Sequence, residues 1–326
     1  MILGNLPVDV SLIITHYKQF SYLVELLEFL KENRWCEARE IIVIDDCSLK
    51  NEEQERLKAC FSEPTYIFQT KNVGPSASRN KGVSIASGKY IQFLDADDWI
   101  EPEKISIQFR EALKHNFPAF VCSTWARVKA ESITGQPILI KTFEPDLSPP
   151  TIISIMKGFF PLMSGLILKE VFLEVNGFDE NMRLIEDVNL SIRMYDSTNH
   201  FYYSKTEKPL FYYRTAVPKS LSQSNNYEFN LSLLKNYDLA YTKLEQKNIF
   251  STEELNALRN SSFEVIWHIY LSAIEDKNSV LLNKALNEIN KIRFKGTLNK
   301  HGKKYLLCRI IGFNNFAKLS LLLNRL

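Results

Sequence analysis

Apolar runs and amphipathic stretches alternate along the first hundred residues. The apolar runs are VSLIIT (10–15), EIIVID (40–45), TYIFQ (65–69) and KYIQFLD (89–95). Runs of this kind are typical of strands that are buried on both faces of a parallel sheet. Between them lie leucines at helical spacing, a charged segment, and a segment rich in small residues that Gly88 closes, and each predicts a helix. The alternation predicts an α/β fold with a doubly wound, mostly parallel sheet and right-handed crossovers.

Beyond residue 100 the pattern predicts more of the sheet and then helices alone. A helix at 102–116, a strand at 119–128 and a mixed region at 151–200 precede two aromatic strands, FYYSK and LFYYR. From Tyr227 on, the patterning is helical to the end, with no repeat and no low-complexity linker. We therefore expect a sheet-bearing domain over 1–225 and a helical C-terminal region over 226–326.

Composition and cysteine usage restrict the class of protein. The five cysteines are scattered without a C-x-x-C pair, which argues against a disulfide framework or a zinc site and for a reducing compartment. The N-terminus has no basic region and no small-residue cleavage site, and no apolar run is long enough to span a bilayer. We therefore expect a cytoplasmic protein without a membrane span.

Charge is distributed unevenly along the chain. The segment from Lys291 to the end has nine Lys or Arg residues and no Asp or Glu, whereas the whole chain carries +2. A basic segment with apolar residues such as Leu306 and Phe313 can lie on the anionic inner face of a membrane. It can equally be a helix that packs on its own domain with a solvated basic rim, and both interpretations stay open. No nucleic-acid-binding fold is recognisable, so we expect no nucleic acid partner.

Three carboxylates follow the fourth predicted strand, in the run IQFLDADD (91–98). Asp is common in turns and at helix starts, so an isolated D-x-D motif is weak evidence of a site. Its position matters, because ligands of doubly wound sheets bind beyond the carboxyl ends of the strands. Like charges become tolerable there when Mg²⁺ or Mn²⁺ neutralises them together with substrate phosphates. The run therefore predicts a site for a metal ion and a phosphate.

Five stretches resemble the family-2 glycosyltransferases in their order and rough spacing. They are VSLIITHYK, IIVIDDCS, KNVGPSASRNKG, FLDADD and GFDE…EDVNLSIRM, and they cover about residues 10–215. That family consists of inverting enzymes of the GT-A fold that use nucleotide-diphosphate sugars. The resemblance implies a GT-A-type sheet and a metal-dependent inverting glycosyltransferase that takes a UDP-sugar.

The resemblance also implies a nucleotide-binding set at the ends of the first two strands. Thr15 and Tyr17 would lie against the base, with Lys18 in place of the family's usual asparagine. A tyrosine face can stack on a base, and a hydroxyl can bond to its edge. Asp46 would accept a hydrogen bond from the uracil N–H, while Asp45 supports the loop.

Two further residues of that set lie in KNVGPSASRNKG, where Ser78 replaces the usual alanine. Asn72 would belong to the nucleotide site, and Arg79 would reach the base or the diphosphate from the first turn of a helix. A guanidinium is well matched to phosphate, although a surface salt bridge is the commonest fate of an arginine on a helix. Asn80 would hold the loop through backbone hydrogen bonds.

The chemistry is assigned to carboxylates by the same resemblance. Asp97 would be the direct metal ligand, and Asp95 would contact the ribose or the metal and its water, whereas Asp98 would only cap the next segment. Asp187 would be the catalytic base that removes a proton from the acceptor hydroxyl, with Glu186 beside it. The alternative for this pair is an acidic helix start that the helix dipole favours.

One position departs from the family pattern. In YYRTAVPKSLS, Ala216 stands where many relatives have a histidine that completes the metal shell. Arg214 and Lys219 are candidates for binding the diphosphate.

The expected function is transfer of a sugar to a glycan or lipid-linked oligosaccharide in bacterial surface polysaccharide synthesis. A non-catalytic glycan- or partner-binding relative is an alternative. A sugar nucleotidyltransferase is another, although such enzymes favour a glycine-rich loop after the first strand, and THYKQFSY has no glycine.

Overall fold

The structure, a computed structural model, divides the chain into two compact units, Met1–Gln223 and Ser224–Leu326. It describes residues 9–33, 39–129, 138–145, 152–156, 161–182, 184–195, 200–215 and 226–247, and the single residues 258, 265, 280 and 283. The assignment of catalysis to the sheet-bearing part, with a boundary at 225, remains a prediction.

The first unit contains strands and helices in alternation. Its described strands are β1 (Val10–His16), β2 (Arg39–Asp45), β3 (Thr65–Phe68), β4 (Tyr90–Asp95), β5 (Trp99–Ile100), β6 (Phe120–Ser123), β7 (Trp125–Lys129), β8 (Ile138–Phe143), β9 (Gly165–Leu168), β10 (Phe201–Ser204) and β11 (Phe211–Arg214). Its described helices are α1 (Phe20–Glu32), α2 (Asn51–Cys60), α3 (Pro75–Ile85), α4 (Lys104–Lys114), α5 (Ile152–Met156), α6 (Lys169–Glu174) and α7 (Glu186–Met194), with a 3₁₀ helix at Leu162–Ser164. In the second unit, α8 (Asn226–Lys247) is the long helix that the structure describes.

The central sheet has seven strands in the order β10-β6-β9-β4-β1-β2-β3. The pairs β1–β2, β1–β4, β2–β3 and β6–β10 are parallel, and β9 is antiparallel to both of its neighbours. A parallel sheet has both faces covered, and β1 is accordingly buried along its length apart from the half-buried Thr15. The predicted α/β fold with a mostly parallel sheet is confirmed.

Strand register brings the polar ends of the three central strands side by side. Thr15 of β1 pairs with Asp95 of β4, and His16 pairs with Asp45 of β2. This edge is where a doubly wound sheet forms its ligand crevice.

The predicted strand at 119–128 is in fact two strands that belong to different sheets. β6 joins the central sheet, and β7 joins a four-stranded sheet of order β5-β11-β7-β8. Thr124 lies between them, and its carbonyl accepts a hydrogen bond from the Leu210 N–H (2.9 Å). A continuous β-rich run does not reveal such a break, since both halves have a similar composition.

Helix α1 packs by the face that its sequence predicts, since Leu23, Leu26, Leu27 and Leu30 are all buried. Within the described residues, no helix combines the length and the apolar character needed to cross a bilayer.

Candidate active site

The acidic run after β4 forms a tight turn at the crevice edge of the sheet. The Asp98 N–H donates to the Asp95 carbonyl (3.0 Å), which closes the turn. The side chains of Asp95 and Asp97 are half-buried, whereas Asp98 is buried. The first two therefore remain accessible to a ligand, and the third does not.

The end of β1 presents Tyr17 to solvent, with 43% of its surface exposed. The next residue, Lys18, has a φ of 59°, and its N–H donates to Ser48 Oγ (2.9 Å). The Lys18 ammonium lies 4.7 Å from the centre of the Tyr17 ring. Thr15, by contrast, is engaged within the site, since its hydroxyl donates to Asp95 Oδ1 (2.8 Å). Of the two residues predicted to meet the base, Tyr17 has the open surface that such a role needs.

The sequence predicts that Asp45 supports the loop after β2, and its carboxylate does contact this loop. Its partner on β1 is His16. The Nδ1 of this buried histidine lies 2.8 Å from Asp45 Oδ1, and its Nε2 accepts the Gln19 N–H (3.1 Å). The N–H groups of Ser48 and Leu49 donate to Asp45 Oδ2 (2.9 and 3.1 Å). Burial opposes the ionised form, but these hydrogen bonds outweigh it and hold the Asp45 pKa below its usual value. The role of His16 was missed, because a single histidine in a sequence carries no partner information.

Asp46 is buried (5% exposed), and its carboxylate holds the loop between β3 and α3. Oδ1 accepts from Gln69 Nε2 (3.1 Å) and the Val73 N–H (2.8 Å). Oδ2 accepts from Asn72 Nδ2 and the Gly74 N–H (2.8 Å each). A carboxylate has about four acceptor positions, and all four are in use. Asp46 and Asn72, predicted as nucleotide contacts, are therefore bonded to each other.

Arg79 crosses the crevice between two carboxylates. Its Nη2 donates to both oxygens of Asp95 (2.9 and 3.2 Å), and its Nη1 donates to Glu186 Oε1 (2.6 Å). Burial disfavours its charge, but Asp95 and Glu186 outweigh this and raise the Arg79 pKa above its usual value. Its Nε is buried and has no partner within the described residues. Arg79 is therefore not the surface salt bridge that a helix position commonly implies.

Asp97 and Asp98 lie in surroundings that disfavour their ionised forms. Burial, and then the charge of Asp95, raise the Asp97 pKa to about 6. Burial and both neighbouring carboxylates raise the Asp98 pKa well above its usual value. Asp98 Oδ1 accepts the Arg214 N–H (2.7 Å), so this residue ties the turn to β11.

The carboxylates of this turn could supply part of the coordination shell of a divalent cation, with a bound substrate supplying the rest. Among the residues that the structure describes, no group of three or more His, Cys, Asp or Glu could hold a metal ion. Asp95 and Asp97 offer two carboxylates, which is the number that Mg²⁺ commonly takes when substrate phosphates and water complete its shell. Ala216 and Lys219 lie outside the described residues, as does the basic C-terminal segment.

Asp187 lies in the first turn of α7, beside Glu186. Its Oδ1 accepts the Val188 N–H (2.8 Å), and burial followed by the charge of Glu186 raises the Asp187 pKa to about 6. Ile185, the residue before α7, has a φ of 57°, which is a strained conformation for a β-branched side chain. Such strain is retained only where the surrounding structure enforces it, and it is common next to functional groups.

Arg214, the other predicted phosphate ligand that can be located, is buried close to the turn. Its Nη2 lies 3.3 Å from Glu25 Oε2, and its guanidinium lies over the rings of Tyr22 (4.4 Å) and Trp99 (5.3 Å). Within the described residues, its Nε and Nη1 have no hydrogen-bond partner. The predicted set thus gathers at one edge of the sheet, with Arg79 joining its two acidic halves.

Comparison with known proteins identifies a family and several similar proteins. The family model described as glycosyl transferase family 2 matches residues 11–172. A protein of Rickettsia bellii named as an uncharacterised glycosyltransferase is 32% identical over 184 residues, which are 56% of this chain and 26% of that protein. One of Haemophilus influenzae with the same description is 25% identical over 257 residues, which are 71% of this chain and 83% of that protein. The chain thus spans about a quarter of the first relative and most of the second.

Among solved structures, Staphylococcus aureus TarS residues 1–349 in complex with UDP-GlcNAc superposes with a TM-score of 0.68 at 16% identity. The match covers 97% of this chain and 92% of that structure. TarS is named a poly(ribitol-phosphate) β-N-acetylglucosaminyltransferase. The likeness confirms the GT-A-type fold that the sequence predicts.

Proposed function

We propose that this chain, which belongs to glycosyl transferase family 2, moves a sugar from a UDP-sugar to a hydroxyl of a glycan or lipid-linked oligosaccharide. The observation that carries the proposal is the Arg79 bridge. Because Arg79 bonds both Asp95 and Glu186, the carboxylates suited to a diphosphate-bound cation and the helix with the proposed base share one crevice.

In this mechanism Asp187 accepts the proton of the acceptor hydroxyl. The hydroxyl oxygen forms a bond to C1 of the sugar while the bond from C1 to the diphosphate oxygen breaks, and the bonding electrons leave with the diphosphate. A single base and in-line displacement give inversion at C1. A base with a pKa of about 6 is ionised at pH 7 and is more basic than an ordinary carboxylate, which favours proton removal.

The leaving diphosphate needs compensation for its charge. Asp95 and Asp97 would hold Mn²⁺ or Mg²⁺, which when bound supplies Lewis-acid stabilisation of that group. Arg214 has two unpartnered nitrogens within the described residues and supplies a further cation next to the turn.

The nucleotide would lie between Tyr17 and the loop after β3. Tyr17 offers its exposed ring to the base, and Asp46 shapes the loop through its four hydrogen bonds. Recognition of a uracil N–H by Asp46 then requires one of those bonds to be exchanged. The TarS complex with UDP-GlcNAc supports a UDP-linked donor, and the name of TarS supports an N-acetylhexosaminyl or hexosyl group and a surface polymer as acceptor.

The decisive test measures UDP release from a panel of UDP-sugars, with Mn²⁺ and with EDTA. We expect release that depends on the metal, and we expect Asp187→Asn to lower its rate by about 100-fold or more while UDP binding is retained. Glu170→Gln is the matched control, because Glu170 is an exposed carboxylate in the first turn of α6 and tests the helix-dipole alternative. Full activity of Asp187→Asn would reject the assigned base.

Nucleotide binding can be followed without turnover through Cys47, an exposed free thiol next to Asp46. We expect UDP with Mn²⁺ to slow alkylation of Cys47, as read by peptide mapping, and to leave the exposed Cys60 unaffected. Binding without UDP release from any sugar nucleotide would instead favour a non-catalytic relative.

A further inference from the structure

One face of α3 contacts the segment that leads to the proposed base. Ser76 Oγ donates to the Met182 carbonyl (3.0 Å), and Arg79 reaches Glu186. Asn80, one turn after Ser76, bonds to Phe178. Residues three and four apart lie on one side of a helix, so a single surface of α3 holds the segment at three points.

Asn80 makes the fullest of these contacts. Its Oδ1 accepts the Phe178 N–H (2.9 Å), and its Nδ2 donates to the Phe178 carbonyl and to Glu180 Oε1 (3.0 Å each). Only an amide both accepts and donates in this arrangement, because a carboxylate has no proton to give and a hydroxyl is too short. The side chain therefore specifies the position of the backbone at Phe178.

Gly177 allows the Asn80 side chain to approach the backbone at Phe178. Its φ is +62°, and a Cβ on it would lie 2.6 Å from Asn80 Oδ1 and 2.9 Å from the Phe172 ring. Both the backbone conformation and the space exclude a side chain. The turn and the amide are thus fitted to one another.

Helix α3 is itself held firmly on the sheet. The N–H groups just before it, of Val73 and Gly74, bind the Asp46 carboxylate. Farther along, a Cβ on Gly82 would lie 2.5 Å from the Cγ2 atom of Ile13 in β1. The helix thus links the proposed nucleotide loop at its start to the segment 177–186 along its side.

We propose that Asn80 is a positioning residue for Asp187. By holding Phe178 and Glu180 against α3, it sets where α7 begins, and hence how far the Asp187 carboxylate lies from the donor-side residues. This inference rests on the proposed function, in which Asp187 is the base.

The test compares Asn80→Asp and Asn80→Ala with Ser84→Ala. Ser84 lies on the exposed side of the same helix, where its hydroxyl bonds to the Lys81 carbonyl (2.7 Å), and it serves as the control. We expect both Asn80 variants to lower kcat for sugar transfer by about 10- to 100-fold, the scale of a displacement of about 1 Å in a catalytic group. KM for the donor and the protection of Cys47 by UDP should change less than about twofold, since the α3 N-terminus is untouched.

A second substitution supplies a rescue. In Asn80→Asp, the new carboxylate faces Glu180, so adding Glu180→Gln restores a donor–acceptor pair and should recover part of kcat. Unchanged kcat in both Asn80 variants, or an equal loss of UDP protection and of kcat, would overturn the proposal.

Hydrogen exchange separates this proposal from the proposed function. If the wild-type protein releases no UDP from any sugar nucleotide, the function fails and with it the catalytic meaning of Asn80. The structural part is then judged by exchange in the peptide 177–188. If Asn80→Ala exchanges faster than the wild-type protein in this peptide but not in 90–98, the positioning contact is supported. If the variant and the wild-type protein exchange equally in both peptides, it is rejected.

Discussion

Two acidic pairs, at the ends of the two strands that flank β1, have opposite physical characters. Asp45 and Asp46, at the end of β2, receive hydrogen bonds from backbone and side-chain N–H groups, and the Asp45 pKa lies below its usual value. After β4, burial and the charge of Asp95 raise the pKa of Asp97, and burial with the charges of Asp97 and Asp95 raises the pKa of Asp98. The same residue type at the same edge of the sheet is thus held by many hydrogen bonds in one place and disfavoured in its ionised form in the other.

This difference distinguishes carboxylates that shape the loops from carboxylates that can bind a ligand. A carboxylate whose acceptor positions are filled shapes the loops around it, while crowded carboxylates gain most from an external cation. The first pair therefore builds the crevice, whereas Asp97, the accessible member of the second pair, is suited to bind a cation within it together with Asp95.

The largest effect is expected from Asp46→Asn. The amide NH₂ of the new side chain would face N–H groups that now donate to the buried Asp46 carboxylate. We expect the free energy of unfolding to fall by about 3 kcal/mol, since unsatisfied buried donors cost about 1–3 kcal/mol each. Denaturant unfolding measures this, with Glu52→Gln, an exposed acid in the first turn of α2, as control. If the free energy of unfolding falls no more than in the control, Asp46 does not stabilise the loop.

An effect of opposite sign is expected from Asp97→Asn in the absence of metal. Removing a crowded, half-buried charge should raise the free energy of unfolding at pH 7 by about 1 kcal/mol, after allowance for solvent screening. Asp95→Asn should instead lower stability, because it takes a partner from the buried Arg79. Stabilisation by Mn²⁺ with UDP should be lost in both variants.

The same variant also sharpens the comparison through pH. The folded-state pKa of Asp97 is about 6, above that of the unfolded chain, so the folded protein binds more protons, and this residue's contribution to stability falls as pH rises from about 4 to 6. Asp45 behaves oppositely, since its stabilisation is complete above the unfolded pKa and is lost as pH falls through its lowered folded value. Asp97→Asn should reduce the first slope, to which Asp98 and Asp187 also contribute because their pKa values are raised, and should leave the acid limb unchanged; a slope as steep as in the wild-type protein would show that Asp97 is not crowded.

The smallest effect is expected from Lys18→Asn, beside the first pair. Lys18 has a left-handed backbone, which asparagine adopts more readily, so unfolding should cost about 0.5 kcal/mol more. The substitution keeps the hydrogen bond from the backbone N–H of residue 18 to Ser48, which in turn bonds to Asp45. Thermal unfolding measures the change, and Lys71→Asn is the control at an exposed loop position. Equal shifts in both variants would show that backbone conformation is not the cause.

Local sequence was sufficient where burial follows directly from pattern. The continuous apolar runs predicted β1, β2 and β4, and their polar ends predicted the crevice. It was insufficient at 119–128, where one run serves two sheets, and at Thr15, whose hydroxyl turns to Asp95 on the neighbouring strand. Both depend on partners that are distant along the chain.

The sequence by itself determined the α/β fold, the family resemblance and the set of carboxylates at the strand ends, because periodicity and motif order are properties of neighbouring residues. Only the tertiary structure decided which carboxylates are satisfied and which are crowded. That distinction depends on the donors brought close by other elements: the loop 69–74 for Asp46, and Arg79 between Asp95 and Glu186. Hydrogen bonds and charges act over a few ångströms in space, and these partners are 16 to 107 residues apart in sequence.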